Sequence, residues 1–364
     1  MIRRLLLRMV APLDGFLLTL LAALMAVGLV VLYSASDQHL DKVTSQLMNM
    51  VVALGLMWVV ASIPPQHLMR LALPTYVLGL ALLLAVALFG DISHGARRWL
   101  NIGVGRIQPS ELMKIAMPLM LAWYFDKNEA TLRLKDYAIA ALLLIAPVGL
   151  IAKQPDLGTA LLISASGFYV LFLAGLSWRI LLGLAVAFGA SLPVLWSVLH
   201  DYQRQRILTL LDPSQDPLGA GYHTIQSTIA LGSGGALGKG WLKGTQAHLD
   251  FLPERTTDFI FAVFGEEFGL IGNLLLLLLF LALIGRGLMI AANARDLFSR
   301  LLAGGITLTF FTYAFVNMGM VSGILPVVGV PLPLISYGGT SMVTVLVGFG
   351  ILMSIHAHRK LVKT

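Results

Sequence analysis

Ten stretches of this 364-residue chain are apolar over roughly the 20 residues needed to cross a bilayer, and nothing else in the sequence limits its fold so severely. They fall near Leu13–Tyr33, Leu47–Ile63, Leu71–Phe89, Ser110–Phe125, Tyr137–Ala152, Gly158–Ala174, Ile180–Leu199, Phe259–Ile284, Leu301–Val321 and Leu334–Ala357. Hydrocarbon admits only segments whose backbone groups are paired internally, and runs of this length satisfy that as helices. The expected fold is an all-α polytopic membrane protein of about ten transmembrane helices, a single domain over 1–364, with a large outer-face loop at about 200–257 between helices 7 and 8. Composition agrees, since only 12% of residues are charged where a soluble domain carries about 25%. Cysteine is absent, which excludes disulfides, thiolate nucleophiles, zinc–thiolate sites and iron–sulfur clusters.

The net charge of +7 suggests a polyanionic partner until the basic residues are located. An even number of spans puts both termini on one side, and basic residues in short loops mark the cytoplasmic side. With the N-terminus inside, the inner segments hold Arg3, Arg4, Arg8, Arg70, Lys127, Arg133, Lys135, Arg179, Arg286, Arg295, Arg300, Arg359, Lys360 and Lys363, while the short outer loops hold only Lys42, Arg97, Arg98, Arg106 and Lys153. The charge is therefore topological and calls for no nucleic acid. The first apolar run exceeds a signal-peptide core of about 7–15 residues and reads as an uncleaved helix.

The segment His200–Thr257 departs from the membrane pattern. Its spread of aliphatic and aromatic residues, among them Ile207, Leu210, Tyr222, Ile225 and Trp241, gives it apolar surface to bury, so it reads as short interfacial helices joined by glycine turns. A nucleotide phosphate loop is excluded, because Ser233 and Gly240 stand where that motif requires Gly and Ser or Thr. Arg204, Arg206, Lys239, Lys243 and Arg255 are suited to an anionic head group, or to plain snorkelling.

Asp258 opens the eighth apolar run, where an acid can cap the helix or serve as a general base at the membrane boundary. Glu266 and Glu267 follow deeper, and Glu266 falls roughly 80° around the helix from Asp258, so the two can border one cavity. Glu111 and Lys114 share a face of the fourth helix at spacing i, i+3. Together with Arg97, Arg98, Lys153, Asp156 and Asp258 they gather towards one membrane face, which points to a polar cavity. The zinc-peptidase and serine-hydrolase motifs are missing.

Gly95–Trp99, Gln108–Glu111, Gln154–Thr159, Asp212–Pro213, Asp216–Gly219, Gly221–Tyr222, Gln226–Ser227, Leu252–Glu254, Thr257–Phe261, Glu266–Glu267 and Pro331–Gly339, in that order and spacing, resemble the SEDS family (shape, elongation, division and sporulation) over essentially the whole chain. The stretch Val321–Gly329 looks more like its elongation branch. The resemblance implies a glycosyltransferase that polymerises lipid II at the outer face of the bacterial cytoplasmic (inner) membrane during cell elongation and rod-shape maintenance. It implies that Asp258 is the essential acid, that Glu111 and Lys114 are the functional pair of the fourth helix, and that the partner is a class B penicillin-binding protein. Arg97, Arg98, Lys114, Lys153, Arg204 and Arg206 are candidates for the leaving pyrophosphate. A divalent cation, Mg or Mn, is the one cofactor to consider, although Glu111, Asp156 and Asp258 show no ligand spacing. The rival expectation is a flippase for the same lipid or an ion-coupled carrier, which would hold its ionisable groups near the bilayer midplane.

Overall fold

The computed structural model describes residues 12–359 except 94–95, 102–105, 130–131, 155, 200, 216–220, 250–251 and 253, with backbone alone at 91–93, 96–97, 195, 198, 201–203, 215 and 247–248. Arg3, Arg4, Arg8, Lys360, Lys363, Gly95, Pro155, Asp216–Gly219, Pro253 and the side chain of Arg97 therefore lie outside the described residues.

Ten long helices form the body: α1 (Gly15–Ala35), α2 (Leu40–Ala61), α3 (Pro65–Phe89), α4 (Pro109–Lys127), α5 (Leu134–Lys153), α6 (Leu157–Leu173), α7 (Trp178–Val198), then α11 (Ile260–Ala292), α12 (Leu297–Val321) and α13 (Gly339–Ala357). Between α7 and α11 run the short helices α8 (Asp201–Leu211), α9 (Tyr222–Ser233) and α10 (Thr245–His248), as the apolar residues of that loop lead one to expect. Seven of the ten are long and apolar enough to cross a membrane by length and composition, and α6 and α7 are shorter apolar helices. The protein is a multi-pass membrane protein.

The helix starts follow from local chemistry. Asp14 caps α1 by accepting from the amides of Phe16 and Leu17 at 3.1 and 3.2 Å, and Asp296 caps α12 through Ser299 at 2.8 Å. Pro65 and Pro109 occupy first-turn positions of α3 and α4, where a missing N–H leaves nothing unsatisfied. One addition to the all-α expectation is a small antiparallel sheet, β1 (Asp91–Ser93), β2 (Ala96–Asn101) and β3 (Arg106–Ile107), between α3 and α4. It is too short to register in apolar periodicity, and it presents Arg98 beside the start of α6.

α12 is the most enclosed of the spans and packs against α4, α6 and α11. Two segments dip into the bundle from the face that carries 201–257, here the loop face. The first is the glycine stretch 234–240, which enters a break in α11. At Gly269 the helix leaves helical geometry, with φ 65° and ψ −163°. The carbonyls of Glu266 and Glu267, stranded by the break, accept from Lys239 N and Gly240 N at 3.0 Å each, and the amides of Leu270 and Ile271 donate to Gly235 O and Ala236 O at 2.9 and 3.1 Å. The approach is close enough to demand glycine. A Cβ at Gly238, whose φ is +79°, would lie 2.1 Å from Glu267 O.

The second dipping segment is 322–338. The sequence predicts a last span from Leu334, but α13 begins at Gly339, and residues 330–336 instead form a largely buried loop. Hydrophobicity alone cannot separate the two, since Val330, Leu332, Leu334 and Ile335 are as buried here as in a helix. Its polar groups are met by side chains: Ser336 Oγ donates to Thr257 O at 2.6 Å, and Gln46 of α2 binds Ser336 O and the amide of Gly338, each at 3.2 Å.

Substituting Gly238→Ala is expected to expel the glycine loop from the α11 break. Melting in detergent should drop by several degrees, given the roughly 2 kcal/mol typical of a disrupted buried backbone contact, and limited proteolysis should cut near 234–245 before any span. A melting curve and cleavage pattern unchanged from the parent protein would contradict this.

Candidate active site

The site is built on the loop face around the turn Glu254–Phe259, which precedes α11. Leu252 is buried, while the backbone carbonyl of Glu254 (φ 51°) accepts from Thr257 N and Phe259 N at 3.1 and 3.2 Å and closes the turn. The turn is held from both sides, by Tyr337 N on Thr256 O at 2.9 Å and by Asn317 Nδ2 on Asp258 O at 2.8 Å.

Asp258 does not cap α11. The helix is flanked by Phe259 and has no side-chain cap bond. Among the described residues the Asp258 carboxylate makes no hydrogen bond or ion pair, and it faces Gly329, where a Cβ would stand 3.5 Å from Oδ2. Burial, with Glu254 carboxylate adding a like charge, pushes its pKa up to about 6. A carboxylate so placed is mostly ionised at neutral pH yet markedly more basic than an ordinary aspartate. His223 of α9 lies over the same turn, its ring stacked on Phe259 at 5.5 Å and 15°, with burial holding its pKa down.

Glu111 and Lys114 meet at 2.6 Å with side chains 12% and 6% exposed. Lys114 Nζ also sits 4.9 Å over the ring of Tyr313 in α12, a cation–π contact that strengthens on desolvation. The sequence reading missed Tyr313, which stands in an uncharged run and carries no motif. Beside it lies a cavity of about 30 Å³, lined by Lys114, Thr309, Tyr313 and apolar side chains of α12 and α13.

Asp156 caps α6 through Thr159 N at 3.2 Å, accepts from Gln108 Nε2 at 3.4 Å and lies 3.9 Å from Arg98 Nε. Lys153 is exposed at the end of α5. Gly158 packs against Val328, since a Cβ there would be 2.7 Å from its carbonyl oxygen, and Val330 clusters with Leu162 and Tyr313. The loop 328–330 thus runs from the Asp156 cap to Asp258, joining the Lys114 group and the Asp258 turn along one edge of α12.

Other expectations change. Glu266 does not border a cavity with Asp258. It is wholly buried and accepts from Lys239 Nζ at 2.6 Å, Thr245 N at 2.8 Å and Gln246 N at 3.1 Å, while Glu267 takes Ser34 and the amide of Leu242. The loop wraps those acids because they lie beside the α11 break, a proximity invisible in sequence spacing. Lys239 is thereby committed, and Arg255 pairs with Asp37. Arg204 donates to the carbonyls of Trp196 and Ser197 at 2.9 and 2.7 Å, closing the end of α7, and Arg206 is half-buried on α8.

Comparison with known proteins accords with this architecture. Residues 15–361 match the family of cell cycle proteins comprising FtsW, RodA and SpoVE. The chain belongs to that family. It is 54% identical over 351 residues to peptidoglycan glycosyltransferase MrdB of Escherichia coli, covering 96% of this chain and 95% of that one. Peptidoglycan glycosyltransferase RodA of Treponema pallidum is 32% identical, with 97% and 99% covered. Among solved structures, the fold superposes with a TM-score of 0.84 on a chain of a peptidoglycan synthase complex that coordinates polymerization and crosslinking, at 37% identity over 96% and 98% of the two chains. It superposes at 0.72 on the rod shape determining protein RodA of Thermus thermophilus, at 32% identity over 95% and 97%.

Because Glu111 and Lys114 are buried together, removing one partner leaves an uncompensated charge, at a cost of about 3–5 kcal/mol, whereas removing both is far milder. Glu111→Gln and Lys114→Met singly should therefore lower folded yield and melting temperature. The double variant should recover most of that stability, which a melting series of the three proteins reads directly.

Proposed function

We propose that this protein is a peptidoglycan glycosyltransferase in which Asp258 is the general base, polymerising lipid II at the outer face of the bacterial inner membrane. The observation that carries the assignment of the base is the Asp258 carboxylate itself. It is partly buried, makes no bond among the described residues, is not used as a helix cap and is raised to about 6. Family membership and the relatives' names support the glycosyl transfer.

The chemistry is one in-line displacement. The 4-hydroxyl of the acceptor GlcNAc attacks the anomeric carbon of the donor MurNAc, its proton passes to an Asp258 oxygen, and polyprenyl pyrophosphate departs with the bonding electrons. An α-linked donor becomes a β-linked product, so a single inversion needs one base and no covalent nucleophile, the logic that inverting glycosidases also follow. The leaving pyrophosphate needs positive charge. Lys114 is held by Glu111, Arg204 by the end of α7, and Arg98 lies beside Asp156, so the exposed Lys153 is the better-placed cation among them. Among the described residues no three His, Cys, Asp or Glu cluster as metal ligands. A divalent cation does not fit a dedicated site here, and no step is routed through one.

Both termini are assigned to the cytoplasm and the loop face to the outside, on the strength of the basic-residue distribution. A class B penicillin-binding protein is the proposed partner, supported by the likeness to a synthase complex. Transport is the weaker reading, because the acids deepest in α11, Glu266 and Glu267, are locked to the loop rather than lining a path.

Purified protein with its penicillin-binding partner and lipid II should form glycan polymer. Asp258→Asn should abolish polymer while folding and partner binding persist. Its melting temperature should match or exceed that of the parent, because a carboxylate whose folded pKa is raised opposes folding once pH exceeds its unfolded value near 3.8. Polymer formed at the parental rate by Asp258→Asn would remove Asp258 from the chemistry.

The pH profile supplies a separate check. Rate should rise as Asp258 deprotonates through about pH 6 and fall to about one tenth of its plateau one unit below that. Glu254→Gln should move this limb to lower pH, because it removes the neighbouring negative charge; an unmoved limb would locate the titration elsewhere.

A further inference from the structure

We propose that Asn317 is a positioning residue for Asp258, clamping the backbone of the Asp258 turn to the 328–330 segment so that the carboxylate keeps its place beside Gly329. The inference rests on the reading of Asp258 as the base. It is carried by an arrangement that packing alone does not call for.

Asn317 lies near the end of α12 and is fully buried, at 0% exposure. Its Nδ2 donates to Asp258 O at 2.8 Å and to Val330 O at 2.7 Å. The two carbonyls belong to different segments, one before α11 and one after α12, and a side-chain amide is a neutral group that places two donors on a single atom. Those bonds also settle which end of the amide is nitrogen. The consequence is that Oδ1 is buried without a hydrogen-bond partner among the described residues. An orphaned buried acceptor is unfavourable, and the amide is kept here for the two carbonyls it bridges.

The clamp reaches the reacting group through short covalent paths. Val330 follows Gly329, the residue that faces Asp258 Oδ2 and holds φ at +73°. Asp258 itself supplies the other carbonyl. Fixing the two carbonyls to one nitrogen fixes how far the carboxylate stands from the loop that crosses it. Tyr313, four residues earlier on the same face of α12, carries Lys114. A shift at Asn317 therefore changes the base's position relative to the loop and to the Lys114 group without touching substrate.

The test compares Asn317→Leu, Asn317→Asp and Asn317→Gln in the purified complex with lipid II, with Asp258→Asn in parallel. Asn317→Leu removes both donors on a side chain with the same branching, Asn317→Asp replaces them with an acceptor, and Asn317→Gln restores an amide on a longer stem. Asn317→Leu should elute and bind the partner as the parent does, yet lose about 10- to 100-fold in kcat, the scale set by displacing a reacting group by about an ångström. Its KM should stay within about threefold of the parent value, since the loss is in the transition state rather than in substrate binding. Asn317→Asp should be at least as impaired, and Asn317→Gln should recover several-fold over Leu.

A folded Asn317→Leu protein with parental kcat overturns the proposal, as do equal rates for Leu and Gln. Losses of kcat that follow folded yield across all three variants make the residue merely structural and overturn it too. If Asn317→Leu fails to accumulate, the Gln and Asp variants decide on the same criteria. Parental polymerisation by Asp258→Asn is a different failure, that of the base assignment itself.

Discussion

Hydrocarbon offers no partners for an interrupted backbone, and yet the longest helix of this protein interrupts itself at Gly269. Four backbone hydrogen bonds between that break and residues 235–240 repair the gap. They explain much that otherwise looks unrelated: the glycine density of the loop, the buried acids Glu266 and Glu267 whose oxygens take loop amides and Lys239, and the return of the chain to the membrane face in time to form the Asp258 turn. A charged residue at this depth costs about 2.5–3.5 kcal/mol on insertion scales. Bonding Glu266 to a lysine, two hydroxyls and two amides offsets that cost, and it converts the two acids into the anchor of the 201–257 segment.

The second constraint is the strut α12. Its position among α4, α6 and α11 gives it one edge along which Thr309, Tyr313 and Asn317 follow at successive turns. Lys114 rests on Tyr313 and the Asp258 turn hangs from Asn317, so groups from α4 and from the start of α11 are referred to the same rigid element. The loop 328–330 completes the frame, because Gly158 lacks the side chain that would hold it away from the Asp156 cap and Gly329 adopts the φ of +73° that turns the chain past Asp258. Sites that need sub-ångström placement are better built on helices than on loops. Here a loop residue acquires that precision by being tied to helices on both sides.

Much of this was legible in the sequence because apolar run length and the hydrocarbon thickness are the same physical quantity. The ten long helices, the helical 201–257 segment and the proximity of Glu111 to Lys114 follow from spacing alone. What stayed hidden has one cause, which is that a buried loop and a buried helix present the same composition. Residues 334–338 read as the start of the last span, and only the side-chain bonds of Ser336 and Gln46 show how a non-helical backbone is satisfied there. Glu266 was misplaced for the reverse reason: angular position on an ideal helix puts it near Asp258, but the break three residues later draws the loop onto it. Tyr313 and Asn317 gave no signal, being uncharged residues in a span that also carries Thr307, Thr309 and Thr312.

The distribution of partners also narrows which groups remain to act on a substrate. Asp156 serves as a cap, Glu111 and Lys114 neutralise each other, Arg204 closes α7, and Glu266 and Glu267 anchor the 201–257 segment. Each of these is an intramolecular solution to the problem of charge in a medium of low polarity. Asp258 is treated differently. Its backbone carbonyl is bonded, its neighbours are fixed, and its carboxylate is left beside a glycine with a second acid raising its basicity. A protein that pairs the acids Glu111, Glu266 and Asp14 with cations and holds this one with no counter-ion among the described residues retains the proton affinity that deprotonating a sugar hydroxyl requires, and the framework of α12 and its two dipping loops is what keeps that affinity in one place.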